Sequence, residues 1–438
     1  MAEVEIDDNV VFAVLLCSYV IAMEEEEEQQ INNVQPHQKR VKRAAHRQFW
    51  VRPWLTEGRR QQFGHFSNLL DSHLRLEDPA AFQNYTRLTP ELFDEVLQRI
   101  TPEIEREVTS FRQPLSPALK LAVTLRHLAT GDGYRSLAYA FRCVVSSISK
   151  MIPEVCQAIV QAYKEEVFSL PVSPEAWKAL AVQFEQRWNV PHAVGALDGK
   201  HIAIKKPPQT GSMYFNYKGF FSIPLLALVD ACYKFVWIEL GGKGHMSDTQ
   251  IFGDSELFNG LEENALGLPP PCPLTSSPDD FQDMPFFILG DDAFALRNYL
   301  MKPYSRRQMS REERIYNYRI SRGRRVVENA FGILANRFMC LLRTLEQKTD
   351  TVKDIVEATV ILHNLLRLRH PGIVIQEVDH EDLNHDIIPG AWRDQVDWPD
   401  VDQPNAPRNT ATGDGKYHRE LLKKFFSSPQ GAVDGGAS

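Results

Sequence analysis

Apolar residues recur at three- and four-residue steps from Phe49 to about Leu180, which is the period of a helix. Phe63, Phe66, Leu69, Leu70 and Leu74 form one such stripe. Thr89-Pro90-Glu91 predicts a helix start: threonine can cap the first amides, and proline loses nothing at a position whose N–H has no partner. Phe93, Val96, Leu97 and Ile100 continue that stripe. Ser116-Pro117 predicts a further start, with Leu119, Ala122, Val123, Leu125 and Leu128 following and Gly131-Asp132-Gly133 breaking the run. A short helix Ser136–Arg142, a turn at Cys143-Val144-Val145, and a helix capped by Ser146 and carrying Ile148, Met151, Ile152 and Val155 come next. Helix, short helix, tight turn, helix is a helix-turn-helix layout, whose last helix can enter a major groove. A plain helical bundle gives the same pattern, and Lys150 is the one basic residue between Ser146 and Val155, so both readings stay open.

After Trp188 the period changes. Ala193–Ile204 alternates, and Ser222–Val229, Phe235–Leu240 and Phe286–Leu289 are short apolar runs, as expected for strands buried on both faces. Helical patterns occupy Asp248–Phe258, Ala295–Leu300, Arg322–Arg337 and Val352–Leu368, and Pro269–Asp283 reads as a surface loop. The expectation is an α/β chain in four parts. Residues 1–48 are a flexible acidic and basic segment, and 49–185 an all-α domain with the helix-turn-helix-like segment. Residues 186–368 hold a mixed sheet flanked by helices, and 369–438 form an acidic mobile tail with a short helix at Tyr417–Phe426.

Composition changes this picture little. The 438 residues are 43% hydrophobic and 10% aromatic, enough to bury a sizeable core. The net charge of -8 speaks against strong unaided binding to nucleic acid but leaves room for local basic patches. None of the six cysteines lies in a CxxC pair, and the expected state is free thiols in a reducing compartment. Val10–Met23 is apolar over 14 residues, short of the roughly 20 that span a bilayer, and acidic residues precede it where a signal peptide needs positive charge. No membrane partner is expected. Lys39-Arg40-Val41-Lys42-Arg43 is readable as a nuclear-import signal, a phosphate contact or a solvated cluster.

Three carboxylates stand where a metal site would need them. Asp198 interrupts an apolar strand, where a bare charge costs several kcal/mol unless compensated. Asp291 directly follows the Phe286–Leu289 strand, with Asp292 beside it, and Glu328 lies on the helix whose buried stripe is Val327, Phe331, Leu334 and Phe338. Hard oxygen donors of this kind suit Mg²⁺ or Mn²⁺, and two ions about 3.5–4 Å apart can drive an in-line phosphoryl displacement. With 57 acidic residues a chance triad is easy to find, and strand-end acids often only cap turns. Asp230 and Asp248 are read as capping or supporting residues, and His201 and His245 as hydrogen-bonded histidines. Between Lys302 and Arg325 nine basic residues, among them Arg306, Arg307, Arg319, Arg322, Arg324 and Arg325, are interleaved with Tyr304, Tyr316 and Tyr318. With Lys200, Lys205, Lys206 and Lys218 near Asp198, they are the candidate DNA contacts, against the alternative of a solvated basic loop.

The words ALDGKHIAIKKP, SMYFNYKGFFSIPLLALVDACYKF, ILGDDAFALRNYLMKPY and YNYRISRGRRVVENAFGILANRF resemble the PIF/Harbinger transposases and their domesticated nuclease relatives. The likeness runs from FWVRPW to ATVILHNLL, roughly residues 48–368. It implies a ribonuclease H-like DDE catalytic domain whose Asp, Asp and Glu match Asp198, Asp291 and Glu328 and bind two Mg²⁺ (or Mn²⁺) ions. The implied activity is metal-dependent cutting and joining of DNA at transposon ends or target. A Myb-like helper protein, a homo-oligomer and nuclear location (cytoplasmic without the partner) are also implied. The rival expectation is a domesticated DNA- or chromatin-associated protein that keeps the fold and no longer cuts. GxSxG, GxxxxGK[ST] and GxGxxG are absent, which argues against a serine hydrolase or nucleotide-binding enzyme.

Overall fold

Helix starts are built as the sequence marks them. In the computed structural model, Asp78, Thr89, Ser116 and Ser173 accept hydrogen bonds from first-turn amides of α1 (Pro79–Thr86), α2 (Pro90–Ile104), α3 (Pro117–Thr130) and α6 (Pro174–Trp188). Between them lie α4 (Tyr134–Phe141) and α5 (Val145–Val167). The structure describes residues 51–108, 113–168, 170–274, 283–305, 308–372, 379–381, 387–390, 393 and 411–432. The N-terminal segment with Lys39–Arg43 lies outside them, as do Arg306 and Arg307.

The α3–α4–α5 layout forms, with one difference at the start of α5. Gly131 ends α3 in the left-handed conformation, but α5 begins at Val145 after an N-cap Val144 that makes no side-chain cap bond, so Ser146 lies inside the first turn. Ile148, Met151, Ile152, Val155, Cys156 and Ile159 of α5 are all buried in the main core. The bundle reading accounts for this packing, and the burial of α5 lends no support to a groove-reading helix.

The strands are β1 (Ala193–Ala203), β2 (Ser222–Val229), β3 (Phe235–Leu240), β4 (Phe287–Leu289) and β5 (Leu300–Met301). They form a mixed sheet in the order β3-β2-β1-β4-β5. β1–β2 and β2–β3 are antiparallel, β1–β4 and β4–β5 parallel. Helices flank the sheet, an arrangement consistent with a ribonuclease H-like fold. Alternation sorts β1 between two cores: Ala196 and Ile202 join the core built from α5, α9 (Arg311–Arg337) and α10 (Thr349–Arg369). Leu197 joins the opposite one, with α6, α7 (Asp248–Gly253) and α8 (Glu256–Glu262).

α9 crosses the sheet closely. A Cβ at Gly323 would lie 2.5 Å from Leu289 Cδ1 of β4, and further along, the Phe331 ring is 5.6 Å from that of Phe235 on β3. Asn364 of α10 ties the helical half to the sheet. Its amide donates to Val167 O (3.0 Å) and Phe235 O (2.7 Å), and its carbonyl accepts from Phe235 N (2.9 Å). Residues 54–438 form one compact unit.

Other expectations are corrected. Ala295–Leu300 is not helical, because Leu300 and Met301 pair with Ile288 and Leu289, and tertiary pairing overrides local propensity. Asp248–Phe258 is two helices, since Ser255 restarts the chain by accepting from Phe258 N at 3.1 Å. The tail expected to be mobile contains α11 (Gly413–Phe426), whose Leu422, Phe425 and Phe426 are buried in the main core. Among the described residues no single helix is long and apolar enough to cross a membrane.

Candidate active site at the ends of β1 and β4

Register brings the first two carboxylates together. Ala196 pairs with Leu289 across parallel β1 and β4, and two residues further along each chain are Asp198 and Asp291. Both follow residues that face α9 (Ala196 and Leu289 share its core), so they emerge on that face, at the carboxyl ends of two neighbouring parallel strands. Burial raises the Asp291 carboxyl above its ordinary range. Arg324 of α9 opposes the rise, the Asp198 charge adds to it, and the amides of Ala293 and Phe294 pull it back. The Ala293 amide donates to Asp291 Oδ1 at 3.0 Å, which fixes the carboxylate at the turn.

Asp248, the first residue of α7, is a third carboxylate that the sequence did not place here. It feels the charges of Asp198 and Asp291: burial first, and then those two charges, push it up to about 7, while Lys218 and Lys200 oppose the rise. The cause is Gly199. A Cβ there would lie 2.3 Å from Asp248 Oδ1, so glycine alone lets this carboxylate lie against β1. In the sequence, Ser247-Asp248-Thr249-Gln250 reads as a capping box, and that box also forms, so nothing local reveals the second role. Gly199→Ala is therefore expected to lower the unfolding free energy by about 1–3 kcal/mol through overpacking. A melting temperature equal to the parent chain's would show that Asp248 is not held there.

Glu328 lies on α9, five residues beyond Gly323, on the same side of the sheet. Its Oε2 is 3.7 Å from an Arg393 guanidinium nitrogen, and that guanidinium forks onto the buried Asp379 (Nε to Oδ1 2.9 Å, a terminal nitrogen to Oδ2 2.6 Å). Asp379 is in turn fixed beside Glu328, its amide donating to Asn329 Oδ1 at 3.1 Å. Among the described residues, no three His, Cys, Asp or Glu side chains stand close enough to hold a metal as they are. The donor set nonetheless fits a divalent cation: hard oxygens, two of them on adjoining strand ends, with the Asp198 charge adding to the rise of Asp291. Arg393 competes with a cation for Glu328. Arg393→Gln is expected to lower the Mg²⁺ concentration giving half-maximal thermal stabilisation about two- to five-fold, as for one partly exposed ion pair. An unchanged midpoint would remove Arg393 from this role.

The basic candidates divide. Lys205 and Lys206 are exposed and Lys218 is half-buried, beside Asp248. Lys200 is buried at the carboxylates. Arg322 and Arg324 are half-buried on α9, and Arg325 is buried. Arg319 is not a surface contact: it is 5% exposed, donates to Asn189 O (Nε, 3.0 Å) and Gly431 O (3.1 Å), and lies 4.6 Å from the Phe426 ring. Tyr304 and Tyr316 are likewise buried, stacked edge to face and covered by Arg419 of α11, so they present no ring to bases. The bland readings hold elsewhere. Asp230 caps a turn by accepting from Cys232 N and Lys234 N, and His245 bonds Met213 O. His201, buried against Ser222 Oγ at 2.9 Å, is pushed down to about 4 by burial and by Lys218 and Lys200.

Residues 197–364, which hold most of this sheet, the carboxylates and α9, match the DDE superfamily endonuclease model (DDE_Tnp_4). Among curated proteins it is 25% identical over 260 residues to "Putative nuclease HARBI1" of Bos taurus, covering 59% of this chain and 69% of that one. It is 26% identical over 266 residues to the Xenopus laevis protein of the same name, 60% and 71% of the two chains. "Protein ALP1-like" of Arabidopsis thaliana is 21% identical over 296 residues, 66% of this chain and 71% of the other. No solved structure matches.

Proposed function

We propose that this chain is a divalent-metal-dependent DNA endonuclease of the transposase type, with Asp198, Asp291 and Glu328 as its catalytic carboxylates. The observation that carries the reading is the pairing of Asp198 and Asp291 on adjoining parallel strand ends, inside the matched domain. Bound there, two Mg²⁺ (or Mn²⁺) ions would activate a water or 3′-hydroxyl and neutralise the leaving oxygen. The chain's own part is to aim: the turn amides fix Asp291, Gly199 lets Asp248 approach behind Asp198, and α9 brings Glu328 over the same face. Lys205, Lys206 and Lys218 offer phosphate contacts on one side, Arg322 and Arg324 on the other. A Myb-like DNA-binding helper, a homo-oligomer and nuclear location belong to this proposal, and the net charge of -8 suits a protein that leaves sequence recognition to a partner.

One observation favours a second reading, a domesticated chromatin- or DNA-associated protein without turnover: Glu328 lies 3.7 Å from the Arg393 guanidinium, and among the described residues no three His, Cys, Asp or Glu side chains stand close enough to hold a metal. Supercoiled plasmid with Mg²⁺ or Mn²⁺, with and without a Myb-like partner, separates the two. Nicking that disappears in Asp198→Ala, Asp291→Ala and Glu328→Ala supports the nuclease. DNA binding without nicking, indifferent to those changes, supports the silent protein.

A further inference from the structure

The stretch joining β1 to β2 is the one place among the described residues where three large exposed apolar side chains fall within five positions. Met213, Phe215 and Tyr217 are 40%, 43% and 46% exposed. Alternation produces this: Tyr214 is half-buried and Asn216 buried, so the intervening side chains turn outward.

The rings are held on a rigid frame. Asn216 Oδ1 accepts from the amides of Lys218 (3.0 Å) and Phe220 (3.2 Å), and its Nδ2 donates to Ser222 Oγ at 2.9 Å. Tyr214 O accepts from Ser222 N at 2.8 Å, and a Cβ at Gly244 would lie 2.1 Å from that same oxygen, so the neighbouring loop lies directly against it. Phe215 packs edge-on against Phe221 at 5.2 Å, and Tyr217 against His201 at 5.8 Å. Exposed apolar area on a preorganised frame binds a partner with little ordering cost.

Charge selects the partner. From Gly199 to Val229 there is no aspartate or glutamate, whereas Lys200, Lys205, Lys206 and Lys218 all lie there. Lys206 Nζ is 5.6 Å from the Phe221 ring and Lys218 Nζ 5.8 Å from the Tyr217 ring, so cations and ring faces alternate. Rings interleaved with lysines suit a strand of nucleotides, phosphates on the ammonium groups and bases on the rings. A duplex hides its base faces by stacking them on each other, so the strand must be unpaired. The platform also adjoins the carboxylates. His201, against which Tyr217 packs, is three residues beyond Asp198 on β1, and the Lys218 charge is felt at Asp248.

We propose that Met213–Tyr217 is a stacking platform for the unpaired nucleotides next to the phosphodiester that this site cuts. The inference rests on the nuclease reading for its geometry, but it is tested without cleavage. Fluorescence anisotropy of the full chain in EDTA would compare a blunt duplex, the same duplex with a short single-stranded overhang, and that overhang made abasic. The overhang is expected to bind about ten-fold or more tightly than the blunt duplex, and the abasic one to lose the gain, as for one or two stacked bases. Phe215→Ala/Tyr217→Ala should remove the preference and leave blunt-duplex affinity unchanged. Phe215→Leu/Tyr217→Leu, which keeps apolar bulk without a flat face, should do the same and guards against misfolding.

Equal affinity for blunt and overhung DNA, undiminished binding of the abasic overhang, or variants that keep the preference would each overturn the platform. A double variant that keeps the preference but dissociates an oligomer would assign the surface to a second copy of the chain instead. Nicking retained without any overhang preference removes the platform alone, whereas a preference without nicking removes the cleavage reading and keeps the platform.

Discussion

Asp291→Asn should reduce metal-dependent nicking at least about a thousand-fold, the scale of losing a principal stabiliser of developing charge, while making the folded chain slightly more stable. The opposite signs come from one cause. In the absence of metal, Asp291 holds a desolvated carboxylate near Asp198, and burial raises it despite Arg324. The amide removes that charge yet keeps the oxygen that accepts from Ala293 N, so the turn survives. The measurement is a melting curve in EDTA beside a plasmid-nicking time course. Lost nicking together with a lowered melting temperature would mean that Asp291 is structural, and undiminished nicking would end its place in the triad.

Removal of residues 411–438 should prevent stable folding, although sequence patterning reads this segment as part of a mobile acidic tail with a short helix. α11 buries Leu422, Phe425 and Phe426 to 0%, 5% and 2% exposure. Truncating a buried phenylalanine alone costs about 3–5 kcal/mol, so Phe426→Ala should do so here. Arg319 adds to the loss. Its guanidinium, held down at about 10 by burial, is satisfied by Asn189 O, Gly431 O and the Phe426 ring. Without the tail it is left partly unpaired in an apolar setting, which costs several kcal/mol more. The sum reaches the whole stability of a typical domain, about 5–15 kcal/mol. Urea unfolding of the truncated chain tests this, and a midpoint equal to that of the intact chain would refute it.

Much of the sheet was legible because its strands are continuous apolar runs bounded by polar turns, as in SIPLLALV and FVWIEL. Asp198 and Asp291 were legible because each breaks or ends such a run. Arg319 was misread as a DNA contact because a run of charge does not say which face is inside. Its spacing from Tyr316, Ile320 and Gly323 does place it on the buried side of α9, and that signal was present. Asp248 gave no comparable signal: its approach depends on a missing Cβ at Gly199, 49 positions earlier, which only the folded chain makes meaningful. Ala295–Leu300 failed for the same kind of reason, its fate decided by an edge of β4 that no local pattern describes.

A single helix, α9, is gripped at Arg319 by the tail and carries Glu328 nine residues later, about 13.5 Å along its axis. The glutamate is therefore mechanically in series with the C-terminus, while Asp198 and Asp291 are anchored in the sheet. Proteolytic nicking or tagging at that end would disturb one arm of the proposed triad and spare the other two, so this segment is a handle on only part of the proposed chemistry.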